Sequence, residues 1–223
     1  MGYLAFGNDT KTVKGESEGV LTGILYLIPD DKLCPMAATA GCRNACLVSA
    51  GRGRMTNVKA GRLRKTQEYY ADPVAFVDTL GKEIALAKKR AARKGMTLAI
   101  RLNGTSDIPW EHKRGSDGLS LMDKYPDVQF YDYTKLPTRK VPKNYHLTVS
   151  YSEANLFYAS KALASPHNVA VVFRDKDQIP ETFKGRKVIN GDKTDLRFTD
   201  PRGVVVALYA KGAAKKDKTG FVI

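Results

Sequence analysis

Short apolar runs rich in β-branched and aromatic residues recur along the chain and are separated by polar segments. The first run covers residues 20–28 and is stopped by Pro29. Such runs are typical of buried strands, because β-branched and aromatic side chains pack well on a pleated surface. The same pattern predicts further strands at residues 98–102, 128–133, 146–151, 169–173, 188–189 and 204–208.

The long segment between the first two of these strands has the period of a helix. Asp72-Pro73 predicts a helix start, because Asp accepts hydrogen bonds at the N-cap and Pro suits the first helical position. An apolar stripe follows at helical spacing, and Gly95 predicts the end of this helix. The stripe consists of Phe76, Leu80, Ile84, Ala87 and Ala91. Further helices are predicted at 119–124 and 153–163, whereas the polar residues 1–19 predict an irregular lead-in.

Strands that alternate with helices favour a parallel sheet with right-handed crossovers. The connections 134–144 and 190–203 are rich in turn-forming residues, which argues against full helices there. We therefore predict a single α/β domain over residues 1–223, whose mostly parallel sheet forms a partial or irregular β/α barrel. In this arrangement a cysteine loop, residues 34–46, follows the first predicted strand.

The charge of the chain indicates a class of partner. Lys and Arg number 37 against 23 Asp and Glu, a formal net charge of +14. Because neutralised phosphates supply most non-specific affinity for nucleic acid, we expect a nucleic-acid partner, DNA rather than RNA, with a solvated basic surface as the alternative. The candidate phosphate contacts precede Tyr69-Tyr70 and are Arg52, Arg54, Arg62 and Lys65. With no long apolar stretch or signal-peptide pattern, we expect a cytoplasmic location and no membrane partner.

Polar residues follow most of the predicted strands at their carboxyl ends, the edge where α/β enzymes bind ligands. Carboxylates there can act as acid, base or nucleophile, and the predicted catalytic residues are Asp107, Asp132 and Asp192. The predicted substrate-binding residues are Arg101, Asn103, Ser150, Glu153 and Arg174. The alternative is that individual residues only form turns or cap helices, as Asp107 in an Asx turn or Ser152-Glu153 at a helix start.

The three cysteines of the chain, Cys34, Cys42 and Cys46, are separated by only seven and three residues. An odd number in a cytosolic chain argues against a disulfide framework. Thiolates bind zinc and iron–sulfur clusters well, and one short loop can bring three of them to one centre. The candidates are an iron–sulfur cluster, or zinc with a fourth ligand such as His112, His146 or His167. The alternative is that the cysteines are small buried apolar residues.

Several motifs resemble a widespread family of small tailed-phage proteins. They are Cys34-Pro35, Gly41-Cys42 with Cys46, Gly51-Arg52-Gly53, Arg101 through Asp107, Phe130 through Lys135 and Asn144 through Thr148. The resemblance extends over nearly the whole chain and implies a phage origin, hence the cytoplasm of an infected host cell. It implies no particular activity.

The chain is also loosely similar to two groups of barrel enzymes. Radical S-adenosylmethionine enzymes hold a [4Fe–4S] cluster on three cysteines directly after the first strand, although their usual spacing is three and two residues. Guanine transglycosylases, including phage enzymes that insert 7-deazaguanines into DNA, use a pair of Asp residues. The first similarity implies [4Fe–4S] with S-adenosylmethionine as cofactors, and the second implies that Asp107 pairs with Asp132 or Asp192.

Three functional hypotheses follow. The first is a phage enzyme that modifies bases of nucleic acid and carries a metal centre on the three cysteines, similar to radical S-adenosylmethionine enzymes. The second is a 7-deazaguanine transglycosylase acting on DNA or tRNA. The third is a zinc-stabilised protein that binds nucleic acid or a host factor without catalysis. The sequence contains no Walker loop, dinucleotide fingerprint or nucleobase-deaminase pattern, which argues against those classes.

Overall fold

The computed structural model describes residues 2–7, 10–175, 177 and 179–223. The described residues form one sheet of nine strands, in the spatial order β1-β2-β3-β4-β5-β6-β9-β8-β7. The strands are β1 Leu4–Phe6, β2 Val20–Leu25, β3 Thr97–Arg101, β4 Gln129–Thr134, β5 Tyr145–Ser150, β6 Asn168–Phe173, β7 Thr182–Phe183, β8 Arg186–Asn190 and β9 Val205–Tyr209.

Helices and short 3-10 turns connect these strands. The α-helices are α1 Thr10–Ser17, α2 Thr56–Ala71, α3 Pro73–Arg93, α4 Leu121–Lys124 and α5 Leu156–Leu163. The 3-10 turns span Leu47–Ser49, Gly51–Arg54, Trp110–His112, Arg197–Thr199 and Gly212–Lys216. Within this part of the chain, no helix is both long enough and apolar enough to cross a bilayer.

The sheet is parallel from β2 to β8, and its first and last strands are antiparallel to their neighbours. β1 and β7 stand at opposite ends of the strand order, so the sheet is not closed. The predicted α/β class with a single, mostly parallel sheet is confirmed. Because parallel strands share one direction, β2 to β6, β8 and β9 all end at one edge, the carboxyl edge.

One face of the sheet packs against α3 and forms the main core. Leu21, Ile100 and Phe130 of the sheet lie in the same buried cluster as Phe76 and Leu80 of α3. The Asp72 carboxylate accepts a hydrogen bond from the Ala75 backbone N–H at 2.9 Å, and Pro73 begins the helix. The predicted start and apolar stripe of α3 are therefore confirmed. Burying one such side chain stabilises the fold by about 1.5–3 kcal/mol.

The opposite face of the sheet is partly covered by the segment that precedes β9. Leu196 and Phe198 of this segment pack with Tyr131 of β4 and Ala99 of β3. The absence of a full helix in 190–203 follows the sequence prediction, because this stretch contains only one 3-10 turn.

Residues 1–19 were predicted as an irregular lead-in, of which 1, 8 and 9 lie outside the described residues; the described ones include a strand and a helix. β1 pairs with β2, in a register that places Leu4 beside Leu25, and α1 follows it. The Glu83 carboxylate of α3 accepts the backbone N–H groups of Tyr3 and Leu4 at 2.6 and 2.8 Å. A strand of three residues and a polar helix carry little periodicity of their own, so tertiary contacts decide their structure.

Candidate active site

The cysteine loop and the turn after β3 are joined at the carboxyl edge. The Asp107 backbone N–H donates to the Leu33 carbonyl at 2.8 Å, and the Thr105 hydroxyl donates to the Leu27 carbonyl at 2.6 Å. The Cys34 thiol lies 3.9 Å from the Thr105 carbonyl oxygen. These bonds fix the start of the cysteine loop over the end of β3.

The three cysteines are free thiols, and they lie close enough that a charge on one would shift the pKa of another. Burial raises the pKa of the Cys34 thiol to about 12, and the negative charge of the nearby Asp107 carboxylate adds to this effect. Burial also raises the pKa of Cys42, although the nearby Lys135 amine opposes the shift. Without a bound cation, Cys34 and Cys42 are therefore neutral thiols at pH 7.

The cysteine sulfur atoms are suited to a soft metal ion, but they are not positioned to coordinate one together. Among the described residues, no group of three or more His, Cys, Asp or Glu side chains is arranged to hold a metal ion. The histidines suggested as a fourth ligand have other surroundings. His112 is largely exposed, His167 Nε2 lies 3.1 Å from the Arg139 carbonyl oxygen, and His146 lies on β5.

Asp107 lies beside the thiols and is almost fully buried. Its carboxylate accepts a hydrogen bond from the Thr134 hydroxyl at 2.8 Å and another from the Lys135 backbone N–H at 2.7 Å. Burial raises the pKa of Asp107, and these two bonds oppose that shift. The pairing of β3 with β4 therefore brings Asp107 onto the end of the next strand.

Lys135, which the sequence analysis did not select, also lies at this edge. Its buried Nζ donates to the Ser150 hydroxyl at 2.7 Å and to the Ser150 carbonyl at 3.1 Å, and it lies 4.4 Å from the Phe221 ring centroid. Burial lowers the pKa of Lys135 to about 8, whereas Cys42 and Asp107 favour its charged form. The polar residues after β4 were the available signal, because Lys135 directly follows Thr134 at the strand end.

Behind Asp107 lies a buried polar network that contains Asp132. The Arg139 guanidinium donates to both Glu111 oxygens, at 2.9 and 2.5 Å, and to the Tyr145 hydroxyl at 3.3 Å. Tyr145 donates to Asp132 at 2.6 Å, and the Asn103 backbone N–H donates to the other oxygen of Asp132 at 2.7 Å. Burial raises the pKa of Asp132 to about 7, against the effect of these hydrogen bonds.

The other predicted substrate-binding residues do not form one cluster with Asp107 but lie at several separate places on the sheet and beyond its strand ends. Arg101 lies on the face covered by the 195–199 segment, where it pairs with Asp195 at 3.0 Å. Ser150 accepts the hydrogen bonds of the Lys135 amine. Glu153 accepts from the Tyr151 hydroxyl at 3.1 Å. Arg174 donates to the Lys215 and Asp217 carbonyls at 3.2 and 2.9 Å, which anchors the C-terminal segment.

Asp192, the third predicted catalytic residue, lies directly after β8 and forms an ion pair with Lys211 at 3.2 Å. In the described structure, Asp107 and Asp132 are joined through a network, whereas Asp192 belongs to a different pair. The bonds to Arg139, Tyr145 and Asn103 connect the first two carboxylates. The roles assigned to the three carboxylates stay predictions.

The four basic residues predicted to contact phosphates have different surroundings. Arg52 and Arg54 are exposed on the second 3-10 turn. Arg62 is buried, with its guanidinium carbon 4.7 Å from the Tyr26 ring centroid, and Lys65 Nζ donates to the Tyr3 carbonyl at 3.1 Å. Burial lowers the pKa of Lys65 to about 8. Only the first two can meet a phosphate without a change in packing.

The fold and this site define an α/β protein with thiol, carboxylate and amine groups grouped at the carboxyl edge of its sheet. The family model described as Gene product 88 matches residues 3–223. The chain therefore belongs to the Gene product 88 family, a family of phage gene products. No curated protein and no solved structure matches this chain.

Proposed function

We propose that this protein is a phage enzyme that modifies bases of nucleic acid at the carboxyl edge of its sheet. The observation that carries the proposal is the grouping of Cys34, Cys42, Cys46, Asp107 and Lys135, which come from three separate connections of the sheet. Buried groups with shifted pKa values, placed at the edge where α/β proteins bind ligands, are typical of active sites. The net charge of +14 supports a polyanionic substrate.

We assign a separate role to each polar group of the site. Asp107 holds or accepts a proton from the substrate, because its raised pKa brings it nearer neutral pH. Lys135, with a pKa of about 8, donates hydrogen bonds or a proton to a developing negative charge. The Arg139–Glu111 pair positions Asp107 from behind, through the Arg139 Nη1 atom 3.5 Å from Asp107 Oδ1.

The proposal includes a metal centre on Cys34, Cys42 and Cys46. A [4Fe–4S] cluster with S-adenosylmethionine would supply radical chemistry, and zinc would supply a structural or Lewis-acid centre. Because the thiols are not arranged around one point in the structure, metal binding requires the 34–46 loop to rearrange. Binding also requires the thiols to lose their protons.

Metal analysis of protein purified without oxygen tests this centre. The wild type is compared with the Cys34→Ser, Cys42→Ser and Cys46→Ser variants, with Thr39→Ala as a control at an exposed position of the same loop that is not a candidate ligand. Brown protein with iron and sulfide, lost in each cysteine variant and kept in the control, supports the cluster. Colourless protein with zinc points to the zinc-stabilised or transglycosylase alternative. Metal-free wild-type protein after reconstitution with either metal refutes the centre.

The reaction itself is tested by mass spectrometry of nucleosides. DNA and RNA incubated with wild-type protein, S-adenosylmethionine and a one-electron reductant, or with wild-type protein and a 7-deazaguanine base, are compared with the same mixtures containing Asp107→Asn or Lys135→Met protein of equal thermal stability. A new nucleoside that requires both residues supports the proposal. An unchanged nucleoside composition, with DNA or RNA still bound, favours the non-catalytic binding protein instead.

A further inference from the structure

Two neighbouring apolar side chains are exposed at the start of α5. Leu156 and Phe157 are 78% and 73% exposed, the two highest values among the large exposed apolar residues that the structure describes. The core contacts of this helix are made by Tyr158, Ala159 and Ala162. Single exposed apolar residues are ordinary, but an adjacent leucine and phenylalanine leave a contiguous apolar surface in water.

The helix that carries this surface, α5, contacts the candidate active site through other residues. A Cβ atom on Gly41, in the cysteine loop, would come within 2.8 Å of the Ala154 Cβ atom, so the loop touches the residues just before α5. The Tyr158 hydroxyl donates to the Ser150 carbonyl at 2.5 Å, and Lys135 donates to the same oxygen. The chain on either side of Phe157 therefore contacts the candidate site, through Ala154 beside the cysteine loop and Tyr158 beside Lys135.

Cationic side chains accompany the apolar surface. Lys161 Nζ lies 5.1 Å from the ring centroid of Phe157, one helical turn away. In the segment that directly follows the cysteine loop, Leu47 and Met55 are also about half exposed and flank Arg52 and Arg54 in sequence. Apolar or aromatic side chains interspersed with Lys and Arg are the chemistry that binds unpaired nucleic-acid strands, because bases stack and phosphates pair with the cations.

We propose that Phe157 is a stacking platform for an unpaired base, so that this protein takes single-stranded or locally unpaired nucleic acid rather than intact duplex. This inference rests on the proposed nucleic-acid substrate and specifies its form. Inside a duplex the bases stay stacked on one another, so apart from the two terminal pairs their faces cannot reach an exposed ring, whereas every unpaired base has a free face. The neighbouring Lys161 and the net charge favour a polyanion over an apolar protein partner.

Binding of labelled single-stranded and blunt-ended duplex oligonucleotides of one sequence, measured by fluorescence anisotropy over a series of salt concentrations, tests the proposal. Phe157→Ala should weaken single-strand binding about 5- to 150-fold, since one stacked base is worth about 1–3 kcal/mol. Its salt dependence should not change, because no charge is removed. Phe157→Trp should keep or strengthen binding. Leu86→Ala, an equally exposed apolar position on α3, is the control and should have no effect.

Each outcome decides a separate point. Equal single-strand affinity for wild-type and Phe157→Ala protein overturns the stacking platform and leaves the proposed function standing. Equal losses on duplex and single strand also overturn it. Binding to neither form at low salt refutes the proposed nucleic-acid substrate itself. A change of sedimentation behaviour in Phe157→Ala, with unchanged oligonucleotide binding, assigns the surface to self-association and overturns the platform.

Discussion

The buried Arg139–Glu111 ion pair should contribute strongly to the stability of the fold. Both side chains are about 95% or more buried, and two charge-assisted hydrogen bonds join them. Arg139→Met keeps much of the side-chain volume but leaves the Glu111 carboxylate without its partner. Breaking one side of a buried pair in this way costs about 3–5 kcal/mol, because an uncompensated charge stays in the interior.

Urea unfolding followed by circular dichroism measures this cost, and the chain contains a matched control. Arg64 and Glu68 form an exposed ion pair one helical turn apart on α2. Arg64→Met should therefore cost only about 0.5 kcal/mol. Adding Glu111→Gln to Arg139→Met should recover part of the loss, because it removes the unpaired charge. If Arg139→Met costs no more than Arg64→Met, the pair does not hold the site as the structure implies.

Three further predictions concern the site and its surroundings. Asp107→Asn should lower the rate of base modification at least about 10²-fold while the protein stays folded, measured by nucleoside mass spectrometry beside thermal unfolding. Arg52→Ala with Arg54→Ala should flatten the salt dependence of DNA binding by about 0.9 per lost phosphate contact, whereas Arg62→Ala, at a buried position, should mainly lower the unfolding temperature. The pKa of Asp132 is raised from 3.8 to about 7, so the unfolded chain releases this proton first as the pH rises. The stability that this proton contributes is therefore complete below about pH 4 and is lost as the pH rises to about 7, by about 1.4 kcal/mol for each pH unit between these values. Unfolding of the wild type and of Asp132→Asn, measured across this range, should show the loss in the wild type alone.

The elements that the sequence predicted are those in which the regularly spaced apolar residues are also the buried residues. The stripe from Phe76 to Ala91 has a helical period, and each of its members is buried against the sheet. The strands at 98–102, 128–133 and 146–151 lie within one residue of β3, β4 and β5 at each end. A helix or strand with a long buried face has apolar residues at regular spacing, so it can be recognised from its own sequence without knowledge of the elements it packs against.

Contacts between distant segments could not be predicted in the same way. Asp107 and Lys135 meet because the ends of β3 and β4 are adjacent, 28 residues apart in sequence. A single sequence contains no signal for strand order, so Lys135 was indistinguishable from a solvated lysine. For the same reason Arg62 and Lys65 were assigned to phosphates: their helix, α2, has only a weak apolar stripe to show which face packs inward.

Because the surroundings of Asp107 and Asp132 differ, we expect the two carboxylates to have different roles. Asp132 lies within β4, accepts hydrogen bonds from Asn103 and Tyr145, and is fully enclosed. The hydrogen bonds of Asp132 hold the turn after β3 in place, so we expect Asp132 to have a structural role. Asp107 lies beyond the strand ends, beside the Cys34 thiol and the Lys135 backbone. Asp107 therefore lies at the carboxyl edge, whereas Asp132 lies behind it in the Arg139–Tyr145 network. Asp107 is therefore the stronger candidate for chemistry, and Asp132 is the residue that holds its turn in place.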